Sequence, residues 1–71
     1  MMEVQSVLFP REEFTMNEAI QWLKDHKYKH KKVDTTEMMY RFRQHDPNDF
    51  TRMRTIRLHN DVRLIIGVKV A

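Results

Sequence analysis

The densest chemical feature of this sequence is the run Lys24-Asp25-His26-Lys27-Tyr28-Lys29-His30-Lys31-Lys32, five lysines and two histidines against one aspartate. Cations at this density attract a phosphate backbone, and Tyr28 offers a ring on which a base can stack. The ordinary counterpart is a helix end running into a solvated loop or edge strand, which lysines also protect from aggregation. His26 and His30 are four apart, a spacing that presents two imidazoles to a metal only if one helix carries both. No carboxylate or third histidine stands at ligand spacing beside them, so no metal site is expected. His45 and His59 fall in turns, where solvation is the ordinary state. Ser6 is the only serine and has no histidine near it in sequence. No glycine-rich turn is present to hold an oxyanion or a phosphate. Asp46 and Asp49 flank Pro47, where capping a turn is the usual work of aspartate. The residue types therefore point to binding rather than to catalysis, with no catalytic residues and no cofactor.

The elements that would position these groups are legible from pattern. Residues 4–9 are β-rich and are stopped by Pro10, which reads as a first strand. Thr15 is a natural N-cap, with Glu18 three residues on to complete a capping box and Phe14 just before the cap. Met16, Ala19, Ile20 and Leu23 recur at helical spacing as a buried stripe with Trp22 at its border. Residues 28–33 are basic and read as extended, a short strand in its own right, and residues 34–37 as a turn. In residues 38–44 Met38, Tyr40 and Phe42 alternate with Met39, Arg41 and Arg43, the mark of a half-buried strand. A turn follows at residues 45–49, then strands over residues 52–58 and 62–70.

The register of that last hairpin decides where charge accumulates. A two-residue loop would mix apolar and charged residues on both faces. A three-residue loop, His59-Asn60-Asp61, pairs Leu58 with Val62, Ile56 with Leu64 and Arg54 with Ile66. Asn60 or Asp61 can adopt the left-handed conformation such a loop requires. That choice leaves a mostly apolar inner face of Ile56, Leu58, Val62, Leu64, Ile66 and Val68, and the buried pattern selects it. The outer face then carries Arg57 opposite Arg63, with Lys69, Arg41 and Arg43 on the same or nearby strands. Facing like charges cost a few tenths to about 1 kcal/mol, an arrangement suited to an anion. The plain counterpart is a solvated sheet face covered by arginine stems. Tyr40, Phe42 and Trp22 are assigned to the core rather than to a stacking platform, and Tyr28 is not. The core expectation is that Trp22, Leu23, Tyr40, Phe42, Ile56 and Leu64 are largely buried.

Composition narrows the class. The 71 residues hold 13 basic and 10 acidic side chains, a net of +3, and no cysteine, which leaves no disulfide framework or thiolate site. One domain, residues 1–71, is all this length accommodates. The charge is divided: residues 1–23 carry −3 and residues 24–71 carry +6. The longest apolar run, residues 64–68, is five residues against the roughly twenty of a membrane span, and nothing at the start reads as a secretion signal. A soluble intracellular binding module without membrane contact is the expectation.

The segments Ser6-Val7-Leu8-Phe9-Pro10, Ala19-Ile20-Gln21-Trp22-Leu23-Lys24-Asp25-His26, Lys32-Val33-Asp34-Thr35-Thr36 and Tyr40-Arg41-Phe42-Arg43-Gln44 resemble a small uncharacterised module of tailed bacteriophages and large DNA viruses. The resemblance covers nearly the whole chain. It implies a viral or prophage setting, sometimes attached to head-assembly proteins, and brings no catalytic residue or cofactor. It implies residence in the cytoplasm or nucleus of an infected cell, or in the virion. The module has glycine where this chain has Lys27. Either Lys27 adopts a left-handed cap at about 1 kcal/mol, or the helix ends differently here.

Together these readings predict an α+β fold, one amphipathic helix on a small antiparallel sheet of three to five strands, ordered β-α-(β)-β-β-β. The leading function is a non-catalytic module binding nucleic acid without sequence preference. Arg41, Arg43, Arg57, Arg63 and Lys69 form one contact surface, and Lys27, Tyr28, Lys29, Lys31 and Lys32 a second. The competing reading is a protein–protein module of virion assembly, using a sheet edge or the same arginines against an acidic viral protein. A homodimer pairing through the final strand is also expected, because so short a chain gains core by association.

Overall fold

The computed structural model describes residues 2–58 and 60–70. Its elements are β1 (Met2–Pro10), α1 (Met16–Asp25), β2 (Asp34–Thr35), β3 (Met39–Arg43), a 3-10 turn (Pro47–Asp49), β4 (Phe50–Arg57) and β5 (Arg63–Lys69). The five strands form one sheet in the order β2-β3-β1-β5-β4, every neighbouring pair antiparallel. One helix on one face of an antiparallel sheet is the small α+β fold expected.

The helix starts as its residues dictate. Thr15 Oγ1 accepts from the Glu18 amide at 3.1 Å, and the Glu18 carboxylate accepts from the Thr15 amide at 2.9 Å. Two amides that a helix start leaves without partners are thereby satisfied. Phe14, just outside the cap, packs edge-on against Phe9 at 5.3 Å between centroids. Ala19 and Leu23 are fully buried, while Met16, Ile20 and Trp22 pack at the margin of the core.

The hairpin register is the one the buried pattern selects. Ile56 pairs with Leu64, Arg54 with Ile66 and Arg57 with Arg63. The Leu58 amide donates to the Val62 carbonyl at 2.8 Å, and Asp61 takes a left-handed φ of 66°. His59 lies outside the described residues.

Four expectations are corrected. The segment 28–33 is irregular, and the short strand is displaced to Asp34–Thr35, where a turn was predicted. The Lys29 backbone is bonded by the Gln44 side chain instead of by a strand, and the ladder beside β3 begins only at Asp34 and Thr35, opposite Arg41 and Tyr40. Met38 precedes its strand and is 59% exposed, so the alternation is realised only from Met39 to Arg43. The core is smaller than expected: Val7, Phe9, Ala19, Leu23, Phe42 and Val62 are fully buried, whereas Trp22, Tyr40, Ile56 and Leu64 are half-buried. Ile56 and Ile66 lie outside the helix-packed cluster, since the same face beyond it carries exposed Arg54 and Arg52. Finally, β5 is not an edge. It is hydrogen-bonded to β1 on one side and β4 on the other, so it cannot pair across a two-fold axis, and the long edge is β4.

The helix ends in a left-handed cap without glycine. The Tyr28 amide reaches the Leu23 carbonyl at 2.8 Å and the Lys27 amide reaches that of Lys24 at 3.1 Å. These are the paired bonds of a Schellman motif, with Lys27 at φ 63° in the position glycine favours. Tyr28 closes the motif by packing on the core, so its exclusion from the core was also mistaken.

Two stability outcomes follow from this packing. Phe42→Ala removes a fully buried ring in contact with Phe9 (5.7 Å, edge-on). It should cost about 3–5 kcal/mol, leaving little or no cooperative thermal transition. Lys27→Gly relieves a left-handed lysine and should stabilise by about 1 kcal/mol. In a domain this size that raises the melting temperature by about 4–8 °C, read by circular dichroism.

Candidate nucleic-acid interface

Residues paired across a sheet share a face, so the registers place each basic side chain. Asp34 pairs with Arg41, Arg41 with Leu8, Leu8 with Arg63, and Arg63 with Arg57. One row thus crosses all five strands on the face opposite α1. Arg43 joins it through Ser6, and Lys69 through its place six residues beyond Arg63 in β5. All five sheet cations named from sequence therefore lie on one face. The row from Arg41 to Arg57 spans three strand spacings, about 14 Å.

Part of this charge is answered within the molecule. Arg43 lies 3.9 Å from Asp34, Arg57 3.5 Å from Asp61, and Lys69 3.7 Å from Glu3. Exposed pairs at such distances are worth at most about 1 kcal/mol each and are screened by salt. Arg41 and Arg63 have no carboxylate within 4 Å among the described residues. The face stays positive at its centre.

The lysine run lies elsewhere. Residues 27–32 leave the helix and arch past the exit of β3, enclosing a groove of about 750 Å³ against Arg43, Gln44, His45 and Asp46. Gln44 holds the arch in place. Its side-chain Oε1 accepts from the Lys29 amide at 2.8 Å, and its Nε2 donates to the Lys29 carbonyl at 2.9 Å, a side chain substituting for a strand partner. Arg43 belongs to both the sheet face and this groove, and so joins the two basic surfaces.

A bulge in β1 anchors two residues of the groove wall, Gln44 and His45. The β1–β5 register slips between Val4 and Ser6. The intervening Gln5 turns its carbonyl to the amides of Gln44 (2.7 Å) and His45 (3.2 Å). Its side chain donates to the His45 carbonyl at 2.8 Å and accepts from Ser6 Oγ at 2.7 Å. Ser6 is fully buried, and its hydroxyl is engaged in this contact. His45 was expected to be solvated. Instead its Nδ1 lies 3.0 Å from the Val4 carbonyl, its ring meets Phe50 edge-on at 6.1 Å, and Nε2 is 3.8 Å from Glu3.

The other histidines separate. The His26 ring stacks on Trp22 at 3.8 Å with Nδ1 2.8 Å from the Trp22 carbonyl, while His30 lines the groove. The left-handed turn at Lys27 lies between them, so they do not share a helix face. Among the described residues, no three His, Asp or Glu side chains gather as metal ligands. Asp46 caps the 3-10 turn, accepting from the Asn48 amide at 2.9 Å. Among the described residues, no helix is long and apolar enough to cross a membrane.

Sequence reasoning missed the roles of Gln5 and Gln44, and weighed neither Arg52 nor Arg54 as a contact residue. The glutamines carried no signal, because their role depends on which strands meet. Arg52 and Arg54 were readable from the hairpin register, which puts them across from Val68 and Ile66 on the helix-side face. Neither protein-family models, curated proteins nor solved structures show a match to this chain.

Acidic groups bound the arginine row at Arg57. The neighbouring Asp61 carboxyl, by favouring a shared proton, and to a lesser extent desolvation hold the Glu13 carboxyl above the ordinary Glu range. Repulsion from Asp61 and Glu12 adds to this, while Arg57 opposes it. A carboxyl raised in the folded state contributes stability at acid pH that is lost as pH rises through its folded value. Glu13→Gln should therefore melt above the parent at pH 7. That gain should vanish below about pH 4, where both carry a neutral group, as thermal melts across pH would show.

Proposed function

We propose that this chain is a non-catalytic nucleic-acid-binding module that grips phosphate backbones with its helix-free sheet face. One observation carries the reading: Arg41, Arg43, Arg57, Arg63 and Lys69, scattered over three strands, share that face. The arginine forks suit phosphate oxygens, and the half-buried Leu8 and Ile65 between them support the stems. Cations spread along strands in this way contact the backbone, so binding is expected to be indifferent to sequence. A viral or prophage setting, as the motifs imply, would supply such a ligand in abundance.

An assembly role through protein contacts is the second reading. It is favoured by β4, an eight-residue edge strand exposed over most of its length.

Salt dependence separates the two. Three to five phosphate contacts on a duplex give a slope of log affinity against log salt of about −3 to −4.5. Arg57→Ala with Arg63→Ala should reduce its magnitude by about two units and leave the fold intact, measured by fluorescence anisotropy with a labelled duplex. Absence of binding at low salt, or a slope unmoved by the double substitution, overturns the nucleic-acid reading in favour of the assembly role.

A further inference from the structure

We infer that the groove under the lysine arch is a second site, sharing only Arg43 with the arginine face, that takes single-stranded nucleic acid, whereas the arginine face meets duplex backbone. This rests on the nucleic-acid reading above and adds to it a strand state and a place.

The two basic surfaces differ in shape. The arginine face is the open side of a sheet and suits the convex side of a duplex. The groove is concave, and its volume of about 750 Å³ falls within the range of roughly 300–1,000 Å³ that encloses small ligands. The sugar, phosphate and base of a single strand fit a concavity of that volume. Lys27, Lys29, Lys31, Lys32 and Arg43 supply five cations to its walls against one carboxylate, Asp46. No carboxylate lies within 4 Å of the four lysines among the described residues. Their charge is therefore uncompensated at close range, unlike that of Arg57 or Lys69 on the sheet.

The groove also has what a base requires. Tyr28 and the imidazoles of His30 and His45 line it and are half-buried, so each exposes part of a ring while its position is held. Cationic walls interleaved with aromatic rings are the common means of holding a single strand without sequence preference. An acidic peptide would use the cations and leave the rings idle. The arch is also fixed before any ligand arrives. The two Gln44 bonds to Lys29 and the Lys27 cap hold its backbone, so binding does not bear the cost of ordering a loop.

The fold provides its own reporter. Trp22 is the only tryptophan, and its ring lies parallel to that of Tyr28 at 6.0 Å between centroids. A base against Tyr28 should change the Trp22 emission, whereas a duplex on the opposite face should not.

The test titrates the whole chain with a short oligothymidylate and, separately, with a duplex of equal charge, following Trp22 emission and anisotropy at several salt concentrations. Oligothymidylate is expected to change the emission and the duplex to leave it unmoved. Lys29→Ala with Lys31→Ala and Lys32→Ala should weaken oligothymidylate at least tenfold and lower the magnitude of its salt slope by about two, at roughly 0.7 per lost contact. Duplex binding should survive that substitution. Arg57→Ala with Arg63→Ala should show the reverse. Should the triple variant lose its circular dichroism signature, Lys31→Glu alone, at an exposed position of the arch, replaces it with the same expected selectivity. If oligothymidylate binds but responds only to the arginine substitutions, the groove assignment is overturned and the sheet-face function stands. Equal loss of both ligands in both variants overturns the separation into two sites. Polyglutamate competing as well as oligothymidylate at matched charge overturns the single-strand assignment. Failure of both nucleic acids to bind overturns the nucleic-acid function itself, and this inference with it.

Discussion

A single ten-residue helix, about 15 Å long, is all this chain has to set against a five-stranded sheet in a molecule 36 Å along its longest axis. It dries out one patch, where Val7, Phe9, Phe42 and Val62 meet Ala19 and Leu23. Everything the helix does not reach must remain compatible with water, which leaves most of the other face of the sheet to be solvated, apart from the end where Phe50 covers Gly67. Arginine and lysine suit that position, since their long apolar stems can cover a sheet surface while their charged heads stay wet. One-sided burial thus concentrates the cations as surely as it builds the core.

Gathering like charges on a sheet has a cost, and the fold limits it at the margins rather than at the centre. Arg57 and Arg63 face each other directly, and Asp61 and Glu13 stand beside Arg57. Asp34 answers Arg43 at the opposite edge, and Glu3 answers Lys69 at the far end of β5. Arg41 and Arg63 are left without a close carboxylate among the described residues. The acidic groups therefore surround the basic face and leave its middle positive. The exposed edge strand β4 carries Arg52, Arg54 and Arg57, which also discourage pairing with a stray strand.

The groove has a different origin. Gln5 is the extra residue of a bulge, without a partner in β5, and its carbonyl and amide bind the chain leaving β3. That holds residues 44 and 45 beside β1 past the end of β3. The Gln44 amide can then pair with the Lys29 backbone and suspend the lysine run beside Arg43. All polar side-chain atoms buried here have partners, as so small a core requires.

The local elements were determined by the sequence itself. Thr15 and Glu18 cap a helix through bonds confined to one turn, the alternation around Tyr40-Arg41-Phe42-Arg43 commits a strand to two unlike faces, and Pro10 ends another. The final hairpin was legible too, because one slip of its loop would have moved every apolar side chain from one face to the other. Those signals act over a few residues, where covalent spacing fixes who meets whom. The order of the strands acts over the whole chain and left no such trace. Placing β5 between β1 and β4 abolished an expected edge, and joining β1 to β3 brought Arg41 and Arg43 to the face of Arg57 and Arg63. Gln5, Gln44 and His45 gained their roles in the same way, since an amide or imidazole has no preferred partner until tertiary packing buries it beside a backbone group that needs one. The left-handed Lys27 lies between these limits. The helix boundary was readable, but only the docking of Tyr28 on the core decided that the lysine would bear the strain of a glycine position.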